Sequence, residues 1–268
     1  MSLDYMIQYL DFTYLLLPID IYQAVASIGS SAPIEACMRP EDAAAIRDLL
    51  LFRDAREDTF AELVRAGFLQ RFPPGVTLIN ESEPADFLYV VVEGLVELFA
   101  TSGDRETTMS IVEPVGTFIL AAVLNDQVYL QSARTLEKAQ ILMIPAEKVR
   151  EALGTDPAFT HAVVTELARG YRRAIKEVKN QKLRTGAERL ANWLLRQAVP
   201  SDTEARVRLR FEKRVLSSLL GMTPENLSRA LSALKPHGVV ILGPEILIQD
   251  QAALLRFANP SPLVDGPE

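Results

Sequence analysis

The apolar and polar positions change period twice along the chain. Between Pro40 and Leu69, the residues Phe52, Phe60, Leu63 and Val64 recur at helical spacing, which predicts helices there. From Leu69 the apolar runs become short and β-rich. They are Thr77-Leu78-Ile79, Phe87 to Val92, Val96 to Ala100, Met109 to Val112 and Ala139 to Ile144, with Leu130 to Arg134 as one more candidate. Gly75, Pro84, Gly94, Gly103 and Gly116 punctuate them. Many short strands with regular turn signals predict a compact barrel or sandwich. Helical spacing returns at Asp156, a capping residue type, followed by Pro157 at the first helical position. Val163, Leu167, Tyr171, Ala174 and Val178 then follow at steps of four, four, three and four. A stripe this narrow predicts a two-helix dimer seam, the alternative being a helix packed on its own domain. Gly186 is the expected break before a second helix with Trp193, Leu194 and Leu195.

The stretch after Glu212 is the most informative. Val215, Leu216, Leu219 and Leu220 have helical spacing, Gly221 permits a tight turn, and Thr223 and Pro224 suit the cap and first position of a second helix. Leu227, Ala230, Leu231 and Leu234 form one face of that helix, and Glu225, Ser228, Arg229 and Ser232 form the opposite one. Two short helices joined by a glycine turn predict a helix-turn-helix. Val239 to Ile248, bent at Gly243-Pro244, predicts the β-hairpin of a wing.

Charge changes the picture of what such a unit meets. The formal net charge is −7, which alone argues against a nucleic-acid partner. It is unevenly spread: Ala168 to His237 carries 16 basic and 6 acidic residues, whereas Met1 to Leu167 carries 11 basic and 25 acidic ones. A local basic segment is what a phosphate backbone requires. A solvated helix face would give the same asymmetry.

With that flank, the polar face of the second helix acquires a chemistry. Arg229 has the fork that donates two hydrogen bonds to guanine O6 and N7, Glu225 can accept from cytosine N4, and Ser228 suits a base or a phosphate. Asn226 and Thr223 lie at the same helix start, and Lys213 and Arg214 are candidates for phosphate contacts. Double-stranded DNA is the predicted partner.

Other chemistries have little support. Cys37 is the only cysteine, so an internal disulfide and a cysteine-ligated iron–sulfur cluster are excluded. His161 and His237 lie far apart and suggest no metal site. No phosphate-binding glycine loop and no nucleophile with an evident base stand out, so no catalytic residue is assigned and no enzyme is expected. The apolar stretch from Tyr5 to Ile28 is interrupted by Asp11, Pro18 and Asp20, short of the roughly 20 residues a membrane span needs. No Lys or Arg precedes Glu35, as the basic start of a signal peptide would require. A cytoplasmic protein with no membrane partner is expected. Residues 1–37 read as an N-terminal extension of unknown role, the alternative being that Met38 is the natural start of translation.

From about Met38 to the end of the wing, the chain resembles the CRP/FNR superfamily of bacterial transcription regulators. Phe87-Leu88-Tyr89-Val90-Val91 with Gly94, the long helix after Asp156, and Gly221-Met222-Thr223-Pro224-Glu225-Asn226-Leu227-Ser228-Arg229 carry the resemblance. The pattern at Glu225, Ser228 and Arg229 is that of the FNR-type branch, which implies a homodimer on a TTGAT-like palindrome and RNA polymerase as a further partner. Arg105-Glu106-Thr107-Thr108-Met109 and Ser132-Ala133-Arg134-Thr135-Leu136 also resemble FtrB-type regulators. The implied fold class is α+β: a cyclic-nucleotide-binding-like β-roll sensor domain over 38–155, a dimerisation helix over 156–184, and a winged helix-turn-helix DNA-binding domain over 185–268.

The departures bear on the effector. Cyclic-nucleotide binders of the superfamily hold the ribose with a glutamate and the cyclic phosphate with an arginine. Counting from Gly116 without gaps, these positions fall on Ala121 and Gln131, so the carboxylate acceptor and the bidentate cation are both missing. Cyclic nucleotide is not expected to bind. Phe118, Leu120, Ala121, Gln131 and Ser132 outline instead a more apolar candidate effector pocket, with a packed core as the alternative. The resident cofactor is left unknown; haem, with His161 as its ligand, is the weakest option. A sensor or scaffold that keeps the β-roll without regulating DNA is the competing reading of the whole chain.

Overall fold

A computed structural model describes residues 40–114, 116–200 and 204–266. The N-terminal extension, Cys37 and Met38 lie outside them. Two apolar cores divide the chain, one built from residues between Ile46 and Val163 and the other between Leu190 and Ala258.

The first core opens with α1 (Pro40–Arg47) and α2 (Glu57–Ala66). The helical period predicted to Leu69 stops earlier, because β1 begins at Phe68 (Phe68–Phe72). Then follow β2 (Thr77–Ile79), β3 (Phe87–Glu93), β4 (Val96–Ser102), β5 (Arg105–Val112), β6 (Gly116–Phe118), α3 (Leu120–Asn125), β7 (Ser132–Thr135), β8 (Ala139–Pro145) and α4 (Ala146–Thr155). The strands form two four-stranded antiparallel sheets, ordered β1-β8-β3-β6 and β2-β7-β4-β5. β3 and β8 are central and buried along most of their length, which is why they read as unbroken apolar runs rather than alternating ones. Gly94 makes the turn into β4 at a φ of 90°, where a Cβ would stand 2.6 Å from the Ala139 Cα. Only glycine fits both constraints.

α5 (Pro157–Leu183) starts in this core and leaves it. The Asp156 carboxylate accepts from the amides of Ala158 and Phe159 at 3.0 and 3.1 Å and also from Arg56 at 2.8 Å. Phe159 and Val163 are buried in the first core, and Leu167 packs against it. That corrects the predicted seam: Val163 faces the helix's own domain. Val164, Ala168, Tyr171, Ile175 and Val178 are exposed apolar positions, and Ala174 beside them and Leu183 at the helix's end are exposed as well. Those five follow steps of four, three, four and three, a stricter heptad than the predicted one.

The chain turns at Arg184, and α6 (Gly186–Gln197) starts under a capping box: the Thr185 hydroxyl accepts from the Glu188 amide while the Glu188 carboxylate accepts from the Thr185 amide. Gly186 is thus the first helical residue rather than the break. The second core is completed by β9 (Val199–Pro200), β10 (Ala205–Arg208), α7 (Lys213–Leu219), α8 (Pro224–Leu234), β11 (Val239–Leu242), β12 (Glu245–Ile248), α9 (Gln251–Ala258) and α10 (Pro262–Asp265). Its antiparallel sheet is ordered β11-β12-β10-β9. The whole is a β-rich N-terminal domain, a long helix and a C-terminal winged helix-turn-helix.

Candidate nucleic-acid interface

α7 and α8 meet at Gly221, whose φ of 61° favours glycine; a Cβ there would also have to displace the end of the Gln181 side chain, 2.4 Å away. Thr223 caps α8, its hydroxyl accepting from the Asn226 amide at 3.3 Å, and Pro224 takes the first helical position. Leu227, Ala230, Leu231 and Leu234 are buried, which turns Glu225, Asn226, Ser228, Arg229 and Ser232 outward. The hydrogen bond from Thr223, with the Glu225 amide and the nearby Arg229 charge, holds the Glu225 carboxyl below its usual range. Near neutral pH it is a carboxylate, so it can accept a hydrogen bond and cannot donate one. The hairpin of β11 and β12 pairs Val239 with Ile248 and Leu242 with Glu245, and Gly243-Pro244 forms its tip.

The predicted base-reading residues therefore share one exposed face. Lys213 opens α7 and is exposed. Arg214, the other candidate for a phosphate contact, is exposed too, and its guanidinium lies 3.7 Å from the Glu106 carboxylate of β5.

Several basic residues counted toward the local positive charge serve the fold. Arg189 is buried and donates to the carbonyls of Leu220 at 2.8 Å, Arg184 at 2.7 Å and Gly221 at 3.3 Å, tying the end of α5 to the helix-turn-helix turn. Arg184 and Arg196 both pair with Asp265. The signal for Arg189 was present in the sequence, since it shares the helical phase of Leu190, Trp193 and Leu194.

The candidate effector residues do not stand as one set. Phe118 ends β6 in the core, stacked on Tyr89 at 5.1 Å between ring centroids. Leu120 is buried on α3, whereas Ala121 is exposed on the same helix. Gln131 is half-buried, and the Ser132 hydroxyl is engaged by the Glu81 amide at 2.9 Å. Ile119, a β-branched residue, holds a φ of 70°, a costly conformation for its type. His161 is exposed on α5, not enclosed by the apolar core as a haem ligand would be. Among the described residues no group of three His, Cys, Asp or Glu side chains is placed to hold a metal, and no helix is long and apolar enough to cross a membrane.

Comparison with known proteins gives the same two modules. Residues 69–156 match the cyclic nucleotide-binding domain family and residues 188–257 match the Crp-like helix-turn-helix domain family. The chain belongs to the CRP/FNR superfamily of transcription regulators. It is similar to the cyclic AMP receptor protein of Thermus thermophilus, 29% identical over 186 residues, covering 69% of this chain and 85% of the relative. It is also similar to the CRP-like cAMP-activated global transcriptional regulator of Mycobacterium tuberculosis, 25% identical over 215 residues, covering 78% of this chain and 96% of the relative. Among solved structures, FixK2 from Bradyrhizobium japonicum superposes with a TM-score of 0.63 over 71% of this chain and 96% of its own, at 22% identity, a likeness of fold. These relatives are regulators rather than enzymes, and a member of this superfamily with a helix-turn-helix binds DNA.

Proposed function

We propose that this CRP/FNR regulator is a cytoplasmic homodimer that reads a TTGAT-like palindrome, addresses RNA polymerase from it, and does so without cyclic nucleotide. The observation that carries the reading is the exposed face of α8, where Glu225, Ser228 and Arg229 stand together on a capped helix. Thr223, Asn226 and Lys213 supply hydroxyl, amide and ammonium groups around it for the backbone. Arg214 joins them once it leaves Glu106. The heptad stripe of Val164, Ala168, Tyr171, Ile175 and Val178 supports a parallel two-helix seam, which would place two copies of α8 on successive half-sites. The working division is a sensor over 38–155, a dimer helix over 156–184 and a DNA-binding domain over 185–268.

One relative is named as cAMP-activated and another as a cyclic AMP receptor protein, whereas this chain lacks the charged groups expected at such a grip. Ala121 offers no carboxylate to a ribose, Gln131 no cation to a phosphate, and the Ser132 hydroxyl is already engaged. A titration of the protein on the palindrome and on a scrambled duplex of equal length tests the function. Specific binding is expected at moderate salt, with both affinities falling as salt rises. Equal affinity for the two duplexes would overturn the reading.

A further inference from the structure

The first helix of the helix-turn-helix does not stand clear of the sensor. β5 is an edge strand of its sheet, so its outward amides have no strand partner. One of them, the Thr108 N–H, donates to Ser218 Oγ on α7 at 2.7 Å. Beside it Arg214 approaches Glu106 at 3.7 Å, and Arg210 pairs with Glu137 in the bend between β7 and β8. Glu106 is oriented for this contact by Arg134. Arg134 donates to its two oxygens at 3.0 and 2.6 Å and, with Nε, to the buried Glu97 at 2.7 Å. An alternation of acid and base thus runs Glu97, Arg134, Glu106, Arg214 from inside the β-roll to the DNA-binding domain.

We propose that this contact is an autoinhibitory latch: Glu106 and Glu137 occupy Arg214 and Arg210 as DNA phosphates would, while Ser218 pins α7 to β5. The proposal rests on the reading of α7 and α8 as the DNA-binding unit. Carboxylate and phosphate are competing acceptors for one guanidinium fork. A phosphate brought to Arg210 or Arg214 would also stand close to a carboxylate of like sign, at a cost that grows as solvent is excluded. The latch is reversible by construction. Both ion pairs are partly solvent-exposed, and a cleft of about 280 Å³ lined by Glu106, Thr108, Arg214, Ser218 and Thr223 keeps the Glu106–Arg214 pair solvated. Exposed pairs of this kind shift an equilibrium by a factor of about two to five each.

The test is a DNA titration of the full chain with Glu137→Gln, Ser218→Ala and the two combined. Each single change should tighten binding about two- to five-fold, and the pair should tighten it further. Ser218→Ala changes no charge, so its gain cannot come from reduced repulsion. Glu137→Gln is repeated in an Arg210→Gln background, where the latch has lost its arginine and the gain should vanish. An equal gain there would show mere charge removal and overturn the latch, as would unchanged or weaker binding by Ser218→Ala. Thermal unfolding close to that of the wild type checks that each variant is folded. Equal binding of wild type and Arg229→Ala to cognate and scrambled duplexes would remove the DNA-reading assignment itself, and the latch with it.

Discussion

Arg229 and Lys213 are both exposed cations on the helix-turn-helix, and their chemistry separates them. Arg229 projects from the outward face of α8, the face proposed above to present a guanidinium fork to guanine O6 and N7 in a major groove. Arg229→Ala should cost about 1–3 kcal/mol per half-site on the cognate duplex and little on a scrambled one. Lys213→Ala should weaken both duplexes alike and reduce the salt slope by about one per half-site. A titration of each variant on both duplexes at two salt concentrations distinguishes them, and equal losses for Arg229→Ala on the two duplexes would show that it does not read bases. Ala121 and Gln131 support a second expectation, that isothermal titration with cyclic AMP or cyclic GMP shows no binding. Micromolar affinity for either would overturn it. The outward polar face of α8 was legible in the sequence because caps and helical phase fix which residues point outward. The partners of the basic residues were not. Arg214 lies 108 positions from Glu106 in the sequence (214 − 106) and meets it only through the fold, and Arg189 differs from an exposed arginine only by its phase on α6.

Elements were readable where short-range chemistry marks their ends, and α5 is the clearest case. Asp156 followed by Pro157 fixed its start, and the structure gives the carboxylate its amide donors from Ala158 and Phe159 together with that of Arg56. Burial of the Asp156 carboxyl pushes its pKa up, but hydrogen bonds from the Arg56, Phe159 and Ala158 amides and from Thr59 outweigh this and hold it below the usual carboxylate range. A depressed folded-state pKa stabilises the protein above the unfolded-state pKa of about 3.9, and that contribution is lost as the pH falls through the folded value. Asp156→Ala should therefore cost about 1 kcal/mol at neutral pH, with the gap to wild type closing below about pH 4. Denaturant unfolding across pH measures it, and a gap unchanged down to pH 2 would contradict the cap's role. The elements that were not readable are short ones. β6 and α3 span three and six residues within one apolar stretch, too short for either period to declare itself. The capping box at Thr185 and Glu188 was present in the sequence, but Gly186 drew the reading toward a break.

Assembly brings the long helix and the DNA-binding unit into one argument. The predicted stripe and the exposed heptad share Tyr171 and Val178; between these Ile175 replaces Ala174, and toward the N-terminus they part because the first turns of α5 bury Phe159 and Val163 against the β-roll. A helix can serve its own core and a partner only with different faces, and the strict alternation of four and three begins at Val164. Val163→Glu should thus unfold the sensor domain, since it places a charge where exposure is 2%. Tyr171→Glu combined with Ile175→Glu should leave the monomer folded, because those side chains are 70% and 44% exposed in the single chain. Across a two-fold seam the same pair would bring like charges together with their solvent removed. The variant should sediment as a monomer at concentrations where wild type is a dimer. Its binding to the full palindrome should fall to that of a single half-site, with the salt slope about halved, since one copy of α8 and its flanking cations remain in play. Trp193, the single tryptophan, is buried in the second core and reports by its fluorescence that the DNA-binding domain of the variant is intact. A folded variant that stays dimeric would place the seam on another surface, and one that is monomeric yet binds the palindrome as tightly as wild type would separate dimerisation from DNA reading.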